Sequence, residues 1–161
     1  MRGTLHERYP MGCGSNGNEW TLIETLMPKD TNPGGSIFGG VLMSLMDKAA
    51  VIAAWRYARR EVVTAGAEEI SFIRPVRVGE VVKVCARVVN TGRTSIDLDV
   101  VVEAEDVQAG ASAVAARGFF TMVSLDREGK PTEVPPWEPR TDEERRRRDE
   151  ARERRARRRR K

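Results

Sequence analysis

The stretch from Asn32 to Asp47 holds the residues best suited to chemistry. It reads Asn-Pro-Gly-Gly-Ser-Ile-Phe-Gly-Gly and then runs into a segment of helical period that carries Asp47. A glycine pair where a helix begins leaves main-chain N–H groups without partners and without a Cβ in the way, so an oxygen gathering negative charge can approach them closely. Gly39 and Gly40 therefore form a ready-made oxyanion hole. Asp47 lies seven residues beyond Gly40, two helical turns on and on nearly the same face. Met43, Ser44, Ala50 and Val51, its neighbours at helical spacing, cannot neutralise it, and Lys48 points about 100° away. A carboxylate on such an apolar helix is expensive unless something more distant uses it. A helix-interior Asp that meets solvent or a remote Arg is the competing structural reading.

Other chemistries are excluded by count. His6 is the only histidine, and Cys13 and Cys85 are the only cysteines. Triads and dyads built on histidine, His-Glu-x-x-His metalloproteases, Cys/His zinc sites and disulfide-stapled scaffolds all need more. No metal ligand set is expected. Any general base must be Asp, Glu, Lys, Tyr or a main-chain group. Gly34 to Gly40 lacks the Gly-Lys-Ser/Thr ending of a phosphate loop, and its glycine spacing does not fit a dinucleotide fingerprint.

The elements that position these residues are legible from periodicity. The chain of 161 residues suits one ordinary domain. Trp20 to Met27 is β-prone and enters a turn-rich loop, Pro28 to Gly35. Gly39 to Tyr57 is apolar nearly all round, as in a helix wrapped by other structure, and ends in Arg56, Arg59 and Arg60. From Val62 to Leu125 the sequence reads as four strand segments. Ile96, Leu98, Val100, Val102 and Ala104 alternate with Asp97, Asp99, Glu103 and Glu105, which predicts a hairpin with one wet face. One strand, one apolar helix and then four strands is an α+β order, most simply one antiparallel sheet curled around one helix.

The ends read differently. Residues 1–19 carry no apolar period and are expected to form a flexible arm; Met11-Gly12-Cys13 has no apolar run before it and is not read as a lipoprotein site. The body is assigned to 20–137 and a charged tail to 138–161. Arg140 to Lys161 carries a net charge of +7 and the remainder −3, so the overall +4 belongs to the tail. Glu144/Arg148, Glu150/Arg154 and Glu153/Arg157 support only a transient helix, and a solvated or frayed tail is expected. No run approaches the roughly 18 apolar residues of a membrane span, and no signal peptide is evident, so a cytoplasmic protein without a membrane partner is expected.

Several motifs, taken in order, resemble one family. Asp30-Thr31-Asn32 with Gly34, Phe38-Gly39-Gly40, Met46-Asp47-Lys48-Ala49-Ala50, Val63-Thr64-Ala65, Phe72-Ile73-Arg74-Pro75-Val76, Val78-Gly79-Glu80 and Gly92-Arg93-Thr94-Ser95 are similar to those of hot-dog acyl-CoA thioesterases of the cytosolic acyl-CoA hydrolase type. The resemblance spans about Trp20 to Leu125. It implies a hot-dog fold, a five-stranded antiparallel sheet wrapped around the Gly39–Tyr57 helix. It also implies a homodimer built by pairing two sheets, often three dimers to a hexamer, and hydrolysis of acyl-CoA with no cofactor, coenzyme A being part of substrate and product. By position, Asn32 and Asp47 become the catalytic pair, brought together across the dimer interface. Gly39 and Gly40 supply the oxyanion hole. Thr64, Arg74, Arg93, Thr94 and Ser95 become substrate contacts, Arg93 for a CoA phosphate and the hydroxyls for pantetheine amides. A hairpin turn and a strand-edge Arg are the plain structural readings of those last positions.

A thioester carbonyl is weakly resonance-stabilised and its thiolate leaves well, so a polarised carbonyl and an activated water suffice without histidine. Asp47 would act as general base or as nucleophile through a mixed anhydride. A non-catalytic acyl-CoA sensor on the same fold is the second reading. A nucleic-acid-binding protein is the third, disfavoured by the interleaved acidic residues of the tail and by the negative body.

Overall fold

The computed structural model describes residues 18–159, so His6, the Met11-Gly12-Cys13 segment and the arm through residue 17 lie outside the described residues. Strand β1 (Glu19–Thr25) leads through a 3-10 turn (Pro28–Asp30) into helix α1 (Gly39–Ala58). Strands β2 (Val62–Phe72), β3 (Val81–Thr91), β4 (Ser95–Asp106) and β5 (Ala111–Ser124) follow, and helix α2 (Asp142–Arg159) comes last. The five strands form one antiparallel sheet in the order β1-β3-β4-β5-β2. This is the α+β, hot-dog arrangement that the motifs imply.

The sheet curls because one face has a helix to cover. Leu42, Leu45, Met46, Ala49, Ala50, Ala53 and Ala54 of α1 are buried against Val82, Val84, Ala86 and Val88 of β3 and Ile96, Leu98, Val100 and Val102 of β4. The alanines let the helix lie close to the strands, and the alternating residues of β3 and β4 supply the β-branched floor. At Gly118 the approach is tightest: a Cβ there would lie 2.9 Å from Cγ1 of Ile70 and 3.1 Å from Cε of Met46. The helix stops at Arg59, which takes a left-handed conformation (φ 55°) and donates its N–H to the carbonyl of Trp55.

The other face of the sheet is not wet where expected. Asp97 and Asp99 are buried, and what buries them is the segment expected to be a frayed tail. That expectation is corrected: residues 142–159 form a helix that lies on the sheet. A reciprocal cap starts it, with Thr141 Oγ1 accepting from Glu144 N at 3.1 Å and Glu144 Oε2 accepting from Thr141 N at 3.2 Å. The stripe facing the sheet is Arg147, Ala151, Arg154, Arg155 and Arg158, at helical spacing but polar. Arg147 Nη1 lies 3.6 Å from Asp99 Oδ2, Arg155 Nη1 lies 3.4 Å from Asp97 Oδ2, and Arg158 donates to Thr121 Oγ1 at 3.1 Å. The guanidinium of Arg154 stacks 3.3 Å above the Phe119 ring centre. None of the three expected pairs within the helix forms among the described residues. Glu144 caps the helix, Arg148 pairs with Glu138, and Arg157 reaches Glu69 instead. Neither described helix is long and apolar enough to cross a membrane.

Candidate active site

The loop before α1 is built by Asn32. Its Oδ1 accepts from Gly34 N at 2.9 Å and Ser36 N at 3.3 Å, while its Nδ2 donates to Ser36 Oγ at 2.9 Å. This side-chain turn curls the chain under itself, and Gly35 closes it at φ 79°, a left-handed conformation that glycine adopts without strain. Ile37 N donates to Val76 O and Phe38 N to Asp30 O, both at 2.8 Å, which tie the loop to the start of the helix.

Gly39 and Gly40 are the first residues of α1, where N–H groups have no acceptor within the helix, and no side chain caps them. No acidic residue lies in the first turn to compete for the positive end of the dipole. Phe72, at the end of β2, leans on this point. A Cβ on Gly39 would lie 3.2 Å from its Cζ, so the glycine is also what lets the ring approach.

Asp47 is half-buried on the stripe of α1 that also carries exposed Gly40, Met43 and Ser44, beside the edge strand β2. Its Oδ1 accepts a hydrogen bond from Thr64 Oγ1 at 2.7 Å. The neighbour that the apolar helix lacked therefore comes from β2, 17 residues away, as a hydroxyl and not as a cation. The second oxygen is left for another partner. Within one chain no hydrogen bond joins Asn32 and Asp47 among the described residues: Asn32 bonds within its own loop, and Asp47 bonds to Thr64 of β2. Exposed Phe38, Met43, Val63, Phe72 and Ile73 surround these elements, and β2 is an edge strand with a bulge between Glu68 and Ser71.

The residues expected to meet substrate lie in three places. Thr64 is turned to Asp47 and orients that carboxylate. Arg74 lines a cleft of about 410 Å³ with Arg77, Val78 and Asp106, but its guanidinium is committed. It forms a fork on Glu80 (2.9 and 3.2 Å) and donates to Ala104 O at 2.7 Å. Burial alone would raise the Glu80 carboxyl; the Arg74 fork and the Arg77 N–H outweigh it and hold it below its ordinary range. The structural reading of Arg74 is thus the one its contacts favour. At the β3–β4 turn, Arg93 is exposed and 3.9 Å from an equally exposed Glu133, Thr94 is half-buried, and Ser95 Oγ is held by Arg155 of α2 at 2.7 Å.

Sequence reasoning missed Ser36, Phe72 and Arg155. Ser36 had a signal, four residues after an Asn in a turn. Phe72 and Arg155 reach their partners from far along the chain.

The thioesterase superfamily model matches residues 34–111. The acyl-CoA thioester hydrolase YciA of Escherichia coli is 43% identical over 118 residues, covering 71% of this chain and 89% of the relative. The cytosolic acyl coenzyme A thioester hydrolase of Rattus norvegicus is 38% identical over 128 residues, covering 78% of this chain. The chain spans about a third, 34%, of that relative's length. The acyl-CoA hydrolase of Staphylococcus aureus, solved with butyryl coenzyme A, coenzyme A and coenzyme A disulfide, superposes with a TM-score of 0.82. It is 34% identical and covers 88% of this chain and 87% of its own. Three variants of it replace an Asn, an Asp and a Thr by Ala, residues separated along the chain just as Asn32, Asp47 and Thr64 are.

Proposed function

Since the chain belongs to the thioesterase superfamily, in the group of hot-dog acyl-CoA thioester hydrolases, we propose that it hydrolyses acyl-CoA to a fatty acid and coenzyme A at a site shared between two subunits. The observation that carries this reading is the Asp47 carboxylate, half-buried beside edge strand β2, fixed through one oxygen by Thr64 and two turns along the helix from Gly39 and Gly40. In the proposed reaction the thioester carbonyl points at the N–H groups of that helix terminus. A donor so placed is worth about 2.7–4 kcal/mol in comparable acyl-transfer sites. Asp47 takes a proton from the attacking water, or attacks the carbonyl itself to give a mixed anhydride that water then opens. In either course the C–S bond breaks and coenzyme A leaves as its thiolate. Asn32 positions the water or the thioester. Met43 and Phe38 are apolar and exposed beside these groups, as befits an acyl chain.

The assembly proposed is a homodimer, three of which form a hexamer. No hydrogen bond joins Asn32 and Asp47 within one chain, and β2, one of the two edge strands, carries exposed Val63 and Phe72 with exposed Ile73 just after it, so it offers an edge for pairing with a second copy. The name of the rat relative supports a cytoplasmic setting.

Asp47→Asn keeps the acceptor for Thr64 and removes the charge, so folding should survive while kcat falls at least about a hundredfold. Mixing its subunits with those of Asn32→Ala should recover part of the activity, because each mixed dimer would hold one intact site. Near-normal turnover in Asp47→Asn refutes the mechanism and leaves the acyl-CoA sensor as the better reading. No recovery despite demonstrated subunit exchange refutes the shared site.

A further inference from the structure

The turn Gly92–Ser95 is pinned from beneath. Its main chain is fixed by three contacts: Gly92 N donates to Ser95 O at 2.8 Å, Ser124 N to Thr94 O at 2.9 Å, and Val134 N to Arg93 O at 3.0 Å. Its underside is filled by α2. Arg155 Nη2 donates to Ser95 Oγ at 2.7 Å, and Nη1 sits 3.4 Å from Asp97, whose other contacts are Asn90 Nδ2 at 2.8 Å and Thr121 Oγ1 at 3.0 Å.

Gly92 records the same contact independently. Its φ is not in the left-handed range, so its backbone conformation does not call for glycine. The space does: a Cβ there would lie 2.4 and 2.7 Å from the two terminal nitrogens of Arg155 and 2.7 Å from Ser95 Oγ. Glycine at 92 leaves room for the guanidinium of residue 155.

We infer that Arg155 is a positioning residue for substrate binding: packed over Gly92 and bonded to Ser95 and Asp97, it holds the turn so that Arg93 presents itself to a phosphate in the nucleotide portion of coenzyme A. This rests on the proposed thioesterase reading, in which the turn meets coenzyme A. The C-terminal helix is then part of the binding apparatus, although it touches neither Asp47 nor the helix terminus that would polarise the thioester. An arginine is needed because two separated nitrogens must serve Ser95 and Asp97 at once, which a lysine cannot do.

The test measures kcat and KM for acyl-CoA and for the acyl-pantetheine thioester, which lacks the nucleotide, in the full-length chain and in Arg155→Ala, Arg155→Lys, Gly92→Ala and Arg93→Ala. Arg155→Ala should raise KM for acyl-CoA about tenfold, the loss expected for one hydrogen bond to a charged group. Its kcat should stay within twofold, and acyl-pantetheine should be unaffected. Gly92→Ala, which displaces the guanidinium, should reproduce this pattern, and Arg155→Lys should fall between. Together, Gly92→Ala and Arg155→Ala should cost little more than either alone. If Arg93→Ala raises KM for acyl-CoA while Arg155→Ala and Gly92→Ala do not, the positioning role is refuted and the turn's contact with coenzyme A stands. If none of them changes KM, the turn reading fails with it. An equal rise in KM for both thioesters refutes the inference in favour of a general loosening of the fold. Should Arg155→Ala not fold, Gly92→Ala and Arg155→Lys distinguish the same outcomes.

Discussion

Arg147→Leu tests the way α2 is held. Arg147 and Asp99 face each other at 3.6 Å with side chains 12% and 5% exposed, and Asp99 Oδ1 has no hydrogen-bond partner. Burial pushes the Asp99 carboxyl above its ordinary range, opposed by nearby Arg117, Arg87 and Arg154. Removing one partner of a buried pair typically costs about 3–5 kcal/mol, because the other charge is left dry and alone. Here three other arginines remain close and Asp99 can take up a proton, so the expected cost lies near the lower bound, about 3 kcal/mol. For a domain of this size that lowers the melting midpoint by about 6–12 °C. Asp99→Leu should cost less, because Arg147 keeps Glu143 at 2.5 Å. The double variant Arg147→Leu/Asp99→Leu should return to within about 1 kcal/mol of the parent. The pH dependence has a definite sign. A carboxyl raised in the folded state favours folding below its unfolded pKa, about 3.9, and that contribution is lost as pH rises through the folded value. The penalty of Arg147→Leu should therefore shrink as the pH is lowered. Thermal and urea unfolding at fixed protein concentration would measure both effects. A double variant no more stable than Arg147→Leu, or a penalty independent of pH, refutes the argument.

Two more outcomes follow from the same surfaces. Truncation before Arg140 should set the floor for Arg147→Leu, whose melting midpoint should not fall below the truncated protein's, because a helix that no longer gains by docking can leave the sheet and give Asp97 and Asp99 back to water; scanning calorimetry of both proteins would show the order. Glu80→Gln should cost about 1.5–3 kcal/mol at neutral pH by weakening the Arg74 fork. Because Glu80 is held below its ordinary range, its contribution is present above about pH 4 and lost as pH falls through the depressed folded value. The gap between the two proteins should therefore close in acid, as urea midpoints at pH 7 and pH 3 would reveal.

What was legible in the sequence was whatever local periodicity encodes. The unbroken apolar character of Gly39–Tyr57 anticipated a wrapped helix, and the period-two alternation of residues 96–104 fixed which side of β4 faces it. The turn chemistry at Asn32 and Gly35 was likewise readable, since an Asn side chain and a left-handed glycine act on neighbours a few residues away. Thr64 beside Asp47 was not readable from the helix, because the partner arrives through the register of β2. The arrangement of α2 escaped for a more general reason. A search for apolar stripes passes over a helix whose buried stripe is arginine, and the aspartates that complement it had already been assigned to solvent. Both halves of the contact were visible as charges, but only tertiary structure puts Arg147 opposite Asp99 and Arg155 opposite Asp97.

That stripe makes α2 a detachable part. A helix joined by leucines leaves an oily scar when it departs, and the bare sheet then sticks to whatever it meets. The floor beneath α2 instead offers Asp97, Asp99, Thr121 and Glu68, groups that water solvates readily, around one aromatic ring, that of Phe119. A chain with this helix, and a descendant that has shed it, can both remain dispersed. An appendage of this kind can be gained or discarded over evolutionary time, or grafted by an engineer onto a neighbouring scaffold, without rebuilding the curled sheet, loop and central helix that carry Asn32 and Asp47.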